Sequence, residues 1–383
     1  MTTRLFVVAG ESSGDAHAAG VLEALLASDS PWEFRGLGGP RMHGLAAGVE
    51  DWIDDAAVVG LWEVLRRYPY FKQRFEQTAR AILEWKPDAV LLVDYPGFNL
   101  RMASRLRQRG YTGKILYFVS PQVWAWNRGR IPKMARWLDL MLCILPFEPE
   151  LYRASGLQSV FIGHPLVDKV AGLPAVERER DLVALLPGSR EREIAKHWPV
   201  LLEAARRLRV TRPELRFATS APGPKRAELL TSMTADAGLR EAVTIDIGGA
   251  EQLMQRATVG AVASGTATLQ AALLGLPMIL IYKVAPLTYW VGRRVIKVPY
   301  LGMVNLLANR QVVPELIQRA LTPERTEAEL ARLLDNPEQR HQMQESLRAV
   351  TADLGQPGVG ARAATEIRQF LETQKGLDEM GGR

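Results

Sequence analysis

Residues 182–190 read LVALLPGSR: five apolar residues, then a Pro-Gly turn, a hydroxyl and a guanidinium. An apolar run of this length, without alternation, is typical of a strand buried on both faces of a parallel sheet. Helical periodicity follows at 191–209, so the stretch predicts a strand, a tight loop and a helix. The same unit recurs along the chain and therefore decides the predicted fold.

The remaining predicted strands repeat this pattern across all 383 residues. In the first half they lie at 5–9, 34–37, 89–93, 115–119, 140–145 and 160–162; in the second they lie at 216–219, 243–245, 259–263 and 278–282. Helices are predicted between them, for example at 14–27 and 61–85. Strands that alternate with helices form βαβ units with right-handed crossovers, so we expect an α/β fold with doubly wound sheets.

The strongest internal boundary is the segment 163–179, in which Pro165, Gly172 and Pro174 precede a new strand. Halves of this size predict two Rossmann-like domains that face each other across a cleft. We assign residues 1–165 to the first domain and 180–350 to the second. Residues 351–383 are predicted to form a C-terminal helix and tail that pack on the first domain or on a second copy of the chain.

The charge is concentrated in two segments. The formal net charge is +6, yet residues 95–138 hold nine Lys/Arg and residues 283–310 hold five, and neither segment contains an acid. Such segments favour surfaces that meet anions. A hydrophobic fraction of 47% with 23% charged residues excludes the disordered and fibrous classes.

The single cysteine, Cys143, lies in the apolar run 140–145 and excludes a disulfide framework and a cysteine-based zinc site. The apolar run at the N-terminus is too short for a signal peptide, and no run reaches the ~20 apolar residues of a membrane span. We therefore expect a cytoplasmic protein, with peripheral contact to a membrane left open.

Two polar loops of the first half follow predicted strands. Residues 9–15 (AGESSGD) either cradle a phosphate or sugar at a helix N-terminus or form a plain cap and turn, and they lack the spacing of a Walker or dinucleotide loop. Asp94 follows the strand 89–93 directly, which is the rigid, partly shielded placement that a general base needs. The alternatives for Asp94 are a helix cap and an ion pair with the arginines that follow.

The loop at 120–128 (SPQVWAWNR) contains two tryptophans, which predict either packing of a rigid loop or an apolar wall for a ligand. In the second half, residues 186–190 and 264–268 (SGTAT) each place hydroxyls and backbone N–H groups at a predicted helix N-terminus. Together with the charge of Arg190, these two loops predict a diphosphate site.

Segments 58–72 and 289–297 mix large apolar rings with cations. This mixture favours a surface that dips into a membrane, while core packing on one face is the alternative. Nucleic acid is disfavoured as the partner because no nucleic-acid motif accompanies the charge.

Nine blocks in order carry a more specific resemblance. They are 10–15 (GESSGD), 39–42 (GPRM), 94–99 (DYPGFN), 119–126 (VSPQVWAW), 145–148 (LPFE), 163–164 (GH), 185–190 (LLPGSR), 264–267 (SGTA) and 305–308 (NLLA). On these blocks the chain resembles the lipid-A-disaccharide synthase family.

The resemblance implies a GT-B fold, with an acceptor-side and membrane-side first domain and a UDP-sugar-binding second domain. It implies an inverting transfer of 2,3-diacylglucosamine from UDP-2,3-diacylglucosamine to 2,3-diacylglucosamine 1-phosphate. The expected products are the β-1,6-linked tetraacyl disaccharide 1-phosphate and UDP. It further implies peripheral association with the inner membrane and a homodimer with exchanged C-terminal segments, and we expect neither a metal nor a cofactor.

By position, the resemblance makes Asp94 the general base. The implied donor-binding residues are Gly188, Ser189, Arg190, Ser264, Gly265, Thr266, Thr268, Gln270 and Asn305. The implied acceptor-side residues are Glu11, Ser13, Gly14, Asp15 and Asn99, and the residues expected to contact membrane or acyl chains are Trp62, Leu65, Tyr70 and Phe71.

Two positions depart from the family pattern. Some members have Asp where this chain has Gly97, and some have Glu where it has Gln270. The competing hypotheses are another UDP-sugar transferase, a UDP-sugar epimerase, and a non-catalytic lipid-binding protein that has kept the fold.

Overall fold

The computed structural model describes residues 2–53, 61–295 and 298–381, with the side chains at 61–68, 287, 291, 295 and 375–381 outside the description. The chain forms two compact units. One comprises Met1–Asp168 together with Leu354–Arg383, and the other comprises Lys169–Asp353.

The first unit is built on a parallel sheet whose seven described strands have the order β3-β2-β1-β4-β5-β6-β7. The strands are β1 Thr3–Ala9, β2 Trp32–Gly38, β3 Val49–Asp51, β4 Ala89–Val93, β5 Lys114–Phe118, β6 Leu140–Cys143 and β7 Gln158–Phe161. Its helices are Ser12–Leu26, Pro40–Leu45, Leu61–Trp85, Pro96–Gln108, Val123–Trp126, Ile131–Met134, Glu148–Arg153 and Val359–Gly381, with a 3₁₀ turn at Arg128–Arg130.

The second unit repeats the plan with six described strands in the order β10-β9-β8-β11-β12-β13, all parallel. The strands are β8 Glu179–Leu186, β9 Arg216–Ala221, β10 Val243–Ile247, β11 Ala257–Ala263, β12 Met278–Tyr282 and β13 Glu315–Ile317. Its helices are Glu191–Thr211, Pro224–Asp236, Ala250–Arg256, Thr266–Leu273, Pro286–Val295, Met303–Ala308, Pro323–Asp335 and Pro337–Ala352, with a 3₁₀ turn at Gln318–Ala320. The helix Leu166–Ala171 carries the chain from the first unit into the second.

The predicted α/β fold with doubly wound sheets is confirmed. Every predicted strand is present, with ends that differ by a few residues. The strand predicted at 140–145 ends at Cys143, because the N–H groups of Ile144 and Leu145 donate to the carboxylate of Glu148 instead of continuing the ladder. The two strands that were not predicted, β3 and β13, are three residues long and lie at sheet edges.

The long apolar runs follow from burial on both faces of the sheets. All five residues of β4 are 0% exposed. Val90 and Leu92 pack into one hydrophobic cluster of the first unit, while Leu91 and Val93 pack into the other. A strand that supplies two clusters has no position for a polar side chain, so the runs do not alternate.

The helix Val359–Gly381 completes the first unit by packing on the helix Ser12–Leu26. The carboxylate of Asp168 accepts hydrogen bonds from the backbone N–H groups of Gly358 and Val359, at the helix N-terminus. The two helices approach closely at Gly20 and Gly360. A Cβ atom added at Gly360 would lie 2.7 Å from the carbonyl oxygen of Gly20.

Replacing Gly360 with Ala should therefore separate the two helices and lower the free energy of unfolding of the first unit by about 1–3 kcal/mol. Urea titration followed by circular dichroism measures the change. The matched control is Gly44→Ala in the helix Pro40–Leu45, where an added Cβ meets nothing within 4 Å. That variant should be neutral or more stable by up to about 1 kcal/mol. Equal stability of Gly360→Ala and the wild type would contradict the close approach.

Candidate active site

The candidate site of the first unit lies where β1 and β4 end side by side. Ala9 pairs with Val93, so the loops that begin at Gly10 and Asp94 leave the sheet together. The strand order reverses its direction between β1 and β4, and ligands of doubly wound sheets bind in the crevice at such a point. Gly10 permits a close approach there, because a Cβ added to it would lie 2.3 Å from the ring of Tyr95.

Asp94 has an unusual backbone that several partners hold in place. Asp94 and Tyr95 both adopt left-handed conformations, with φ of 48° and 45°, which cost free energy for a residue such as Tyr. The N–H of Asp94 donates to the carbonyl of Phe118 at 2.9 Å. Its carbonyl accepts from the hydroxyl of Tyr117 at 2.6 Å and from Nδ2 of Asn99 at 2.8 Å. These bonds fix the direction in which the Asp94 side chain leaves the sheet.

The carboxyl group of Asp94 is poised for proton transfer. Burial raises its pKa to about 6, and the negative charge of Glu11 adds to the rise, while a hydrogen bond from the backbone of Tyr95 opposes it. A carboxylate with this pKa is charged at pH 7 and is a stronger base than an ordinary aspartate. General bases work best when their pKa lies near the operating pH.

The predicted acceptor-side residues divide into two groups. Glu11 and Ser13 are exposed beside the loop, whereas Asp15 is 2% exposed and Asn99 is fully buried. The carboxylate of Asp15 accepts from the N–H groups of Gly39, Arg41 and Met42 at 2.8–3.1 Å, which holds the loop after β2.

Asn99 donates through Nδ2 to the carbonyls of Val93 and Asp94, while its Oδ1 is buried without a hydrogen-bond partner. Both Asp15 and Asn99 therefore contact the protein itself. Gly14 is also buried, at the start of the helix Ser12–Leu26.

Glu148 is a residue of this edge that the sequence interpretation did not single out. It is 0% exposed, and its carboxylate accepts from Nε1 of Trp124 at 3.1 Å and from the N–H groups of Ile144 and Leu145 at 3.2 and 3.0 Å. Burial raises its pKa to about 7. Glu148 thus ties the loop after β5 to the loop after β6. The signal in the sequence was a single acid among apolar residues in the block 145–148.

The two tryptophans after β5 have different environments. Trp124 is buried, with its ring edge against Phe147 at a centroid distance of 4.9 Å. Trp126 is 44% exposed. The packing interpretation therefore holds for the first ring. The second ring is partly exposed, with the guanidinium of Arg130 5.1 Å from its centroid.

The second unit places the loops 187–190 and 264–266 at its own reversal point, between β8 and β11. Gly188 has a φ of 104°, and Ser189, Arg190, Gly265 and Thr266 are exposed. The guanidinium of Arg190 bonds the carboxylate of Glu193 at 2.9 Å. Thr268 is buried and donates to the carbonyl of Gly265 at 2.8 Å, so it shapes the second loop from inside.

His197 connects two loops of this edge and was also missed. Its Nε2 accepts from the N–H of Lys283 at 2.8 Å, so Nδ1 carries the proton and donates to the carbonyl of Pro187 at 2.7 Å. This assignment of the tautomer follows from the two bonds. Burial lowers the pKa of His197 and keeps the ring neutral. The loop after β8 is thereby tethered to the end of β12.

Two further residues predicted for the donor site are bonded within the unit. Gln270, 7% exposed, donates through Nε2 to the carboxylate of Glu251 at 2.7 Å, and Glu251 also pairs with Lys169. Asn305 is 0% exposed. Its Oδ1 accepts from the N–H groups of Val312 and Val313, and its Nδ2 donates to Val313 and Glu315. The side chain of Asn305 presents no surface to a ligand.

The predicted membrane residues are partly described. Trp62 and Leu65 lie outside the described side chains. Phe71 is half-buried and packs against the core of the first unit, and the ring of Tyr70 meets it edge-on at 5.6 Å. Among the described helices, none combines the length and apolar character that crossing a membrane requires. The described residues also hold no cluster of three or more His, Cys, Asp or Glu side chains that could ligate a metal.

A family profile for lipid-A-disaccharide synthetase matches residues 5–366. The chain belongs to the lipid-A-disaccharide synthase family. The synthase of Geobacter sulfurreducens is 39% identical over 97% of this chain and 98% of its own length. That of Myxococcus xanthus is 39% identical over 96% of this chain and 97% of its own length. Members of the lipid-A-disaccharide synthase family are glycosyltransferases, and this chain is an enzyme of that class.

Solved structures support the fold at low sequence identity. The UDP-GlcNAc 2-epimerase from Neisseria meningitidis, bound to UDP-GlcNAc, matches with a TM-score of 0.61 at 10% identity, covering 97% of this chain and 100% of that one. The calicheamicin glycosyltransferase CalG4 matches with a TM-score of 0.59 at 13% identity, covering 97% and 99%. The chain therefore has the GT-B class of α/β fold.

Replacing Asp94 with Asn should stabilise the protein at neutral pH. Because the folded-state pKa of about 6 exceeds the ordinary 3.8, the folded chain binds more protons than the unfolded chain between these values. The contribution of Asp94 to stability is therefore lost as the pH rises through this window. After allowance for solvent screening, Asp94→Asn should gain about 1–2 kcal/mol at pH 7.5 and almost nothing at pH 4.

Urea unfolding of the variant and the wild type at the two pH values measures this difference. Asp29→Asn, at an exposed loop position, is the matched control and should show no such pH-dependent gain. A variant less stable than the wild type at pH 7.5 would mean that the folded state does not disfavour the charged carboxylate.

Proposed function

We propose that this chain transfers 2,3-diacylglucosamine from UDP-2,3-diacylglucosamine to 2,3-diacylglucosamine 1-phosphate. The products are the β-1,6-linked tetraacyl disaccharide 1-phosphate and UDP. The observation that carries the proposal is Asp94, a partly buried carboxylate with a raised pKa at the carboxyl edge of a parallel sheet. Membership of the family supplies the substrates.

Asp94 is the general base of the proposed reaction. It takes the proton from the 6-hydroxyl of the acceptor as that oxygen attacks the anomeric carbon of the donor with inversion. The exposed Glu11 is the N-cap residue of the neighbouring helix Ser12–Leu26, Ser13 lies in its first turn, and both would contact the acceptor sugar.

Tyr117 and Asn99 hold the backbone of Asp94, and Asp15 holds the adjacent loop. Such partners act by fixing the reacting geometry, since a small displacement of a base costs a large factor in rate.

The loops 187–190 and 264–266 bind the diphosphate of the donor in this proposal. Their backbone N–H groups at helix N-termini, with the hydroxyls of Ser189, Ser264 and Thr266, would stabilise charge that grows on the leaving group. Arg190 is exposed and paired with Glu193, and its guanidinium has further N–H groups that a phosphate can accept from. Fixed donors that meet charge developing in the transition state raise the rate itself.

The pair formed by Gln270 and Glu251 would receive the ribose hydroxyls. Gln270 lacks the charge that some family members carry at this position, but the carboxylate of Glu251 lies against its amide. The pair therefore offers the acceptor oxygens that two hydroxyls require. Asn305 and Thr268 act indirectly, by shaping the backbone around the site.

The proposal places the enzyme on the cytoplasmic side of the inner membrane, where both acylated substrates reside. Trp62, Leu65, Tyr70 and Phe71 would meet acyl chains or lipid. A homodimer that exchanges the helix Val359–Gly381 belongs to the same proposal. Size-exclusion chromatography with light scattering, in detergent and without it, tests the dimer separately from the chemistry.

Asp94→Asn should lower kcat by about 100- to 10,000-fold and leave the binding of the donor unchanged, because only the proton transfer is lost. Mass detection of the disaccharide product and of UDP measures the rate, and Asp29→Asn is again the matched control. Near-normal turnover by Asp94→Asn would refute the assignment of the base. In a further reaction, the enzyme is incubated with UDP-diacylglucosamine and no acceptor. Formation of an epimerised UDP-sugar in that reaction would favour the epimerase alternative.

His197→Phe should raise KM for the donor about 5- to 30-fold with a smaller change in kcat, because two loop-tethering hydrogen bonds are lost. His197→Asn, which can keep the donor bond to Pro187, should recover part of the loss. His341→Gln, on an exposed helix face, controls for the loss of a histidine. Steady-state assays at varied donor concentration measure KM. An unchanged KM in His197→Phe would show that the hydrogen bonds of His197 do not position the donor-binding loop.

A further inference from the structure

Residues 122–136, which we call the tryptophan platform, present cations on a face without acids. The platform follows β5 and consists of the short helices Val123–Trp126 and Ile131–Met134 joined by the 3₁₀ turn Arg128–Arg130. Its exposed side chains include Trp126, Arg128, Arg130, Lys133 and Arg136.

The platform is anchored from below by buried side chains. Trp124 is hydrogen-bonded to the carboxylate of Glu148, and Ile131 and Met134 belong to the hydrophobic core of the first unit. An exposed side chain on such a base starts from a fixed backbone position.

The two tryptophans orient two of the guanidinium groups. Nε of Arg128 donates to the carbonyl of Trp124 at 3.1 Å. The guanidinium of Arg130 lies over the ring of Trp126, 5.1 Å from its centroid. Both arrangements leave terminal N–H groups for another acceptor, since an arginine has five donors.

The charges of these arginines are not neutralised in the described part of the chain. No described carboxylate lies within ion-pair distance of Arg128 or Arg130. Other arginines of the same unit are paired, as Arg107 is with Asp139 and Arg109 is with Glu76. Two ordered guanidinium groups without acids are suited to a dianion.

The platform begins beside the proposed base. It leaves the sheet from β5, whose Tyr117 and Phe118 bond the carbonyl and N–H of Asp94. The platform and Asp94 thus leave the same carboxyl edge from adjacent strands. In an acceptor whose 6-hydroxyl meets Asp94, the phosphate on C1 and the hydroxymethyl group on C5 flank the same ring oxygen. The phosphate therefore lies within one sugar ring of Asp94.

We propose that Arg128 and Arg130 bind a phosphate monoester, and that this group is the anomeric phosphate of the acceptor. The partly exposed ring of Trp126 lies beside Arg130 and would contact the apolar face of the sugar that carries the phosphate. The inference rests on the proposed function for the identity of the ligand. The same chemistry exists in phospholipid headgroups, so the experiment distinguishes the two sources.

The variant is the double substitution Arg128→Gln and Arg130→Gln. KM for 2,3-diacylglucosamine 1-phosphate should rise about 30-fold or more, because charge-assisted hydrogen bonds are lost, while KM for the donor stays unchanged. With 2,3-diacylglucosamine lacking the phosphate, the wild type and the variant should have equal kcat/KM. Arg35→Gln is the matched control, since its guanidinium also stacks on a tryptophan, Trp85, at 4.8 Å and is exposed.

Binding of soluble glucosamine 1-phosphate by calorimetry tests the same site without turnover. The wild type should bind it more tightly than glucosamine by about ten-fold or more, and the double variant should not discriminate. Equal KM values for the phosphorylated acceptor, or equal losses on both acceptors, would overturn the inference. So would a variant that loses only its binding to vesicles of anionic phospholipid, which would assign the arginines to headgroups.

Failure of the proposed function gives a different pattern. If the wild type forms no disaccharide, the proposed reaction is refuted. The phosphate site would still be supported if the wild type binds glucosamine 1-phosphate more tightly than glucosamine and the double variant does not. A wild type that is active, with a double variant that equals it in every arm, refutes the phosphate site alone. Thermal melting of all variants confirms that they are folded.

Discussion

Parallel pairing at two strand neighbours, β1 with β4 and β8 with β11, is the constraint on which both candidate sites depend. At these pairs the crossover connections run to opposite sides, so the loops diverge and leave a crevice between them. Each crevice receives one strand-to-helix loop with glycine and hydroxyls and one further polar loop. In the first unit the further loop carries Asp94, and in the second it carries Ser264 and Thr266. The topology of each sheet therefore determines which loops lie beside a crevice, whatever side chains those loops carry.

The first crevice is held in a conformation that the isolated segment would avoid. The left-handed backbone at Asp94 and Tyr95 persists because neighbouring groups supply bonds to it, and the carboxyl group lies near another negative charge. Both features oppose folding, and the raised pKa of Asp94 favours proton transfer near neutral pH. Natural enzymes commonly accept such local destabilisation at the reacting group. Glu148 is a second carboxyl group of this unit whose pKa is raised by burial. It is fully buried and accepts hydrogen bonds from three donors, so its role is to hold the loops after β5 and β6 together.

The fold could be predicted from the sequence because strands buried on both faces give uninterrupted apolar runs, as in β4. The edge strands β3 and β13 were not predicted, because a strand of three residues is too short to show a hydrophobic pattern. The position of Asp94 after a strand was visible in the sequence. Its raised pKa, however, depends on burial by the folded chain and then on the charge of Glu11, and its backbone is held by Tyr117; both residues are distant in the chain. His197 was missed for the same reason, since its partner Lys283 lies 86 positions away. A polar residue in a loop also does not reveal whether it faces a ligand or the protein, and the fully bonded Asn305 illustrates this.

The return of the helix Val359–Gly381 to the first unit has a consequence for biosynthesis. During translation the helix Ser12–Leu26 emerges early, while the helix Val359–Gly381, which packs on it where Gly360 meets Gly20, is made only after the second unit. Residues 169–353, the whole second unit, must be synthesised in between. Domains usually fold one after another from the N-terminus as the chain is made. The first unit cannot follow this order, because part of it is made after the second unit. Until that helix is made, the first unit lacks Val359, Ala363 and Ile367, which complete one of its hydrophobic clusters.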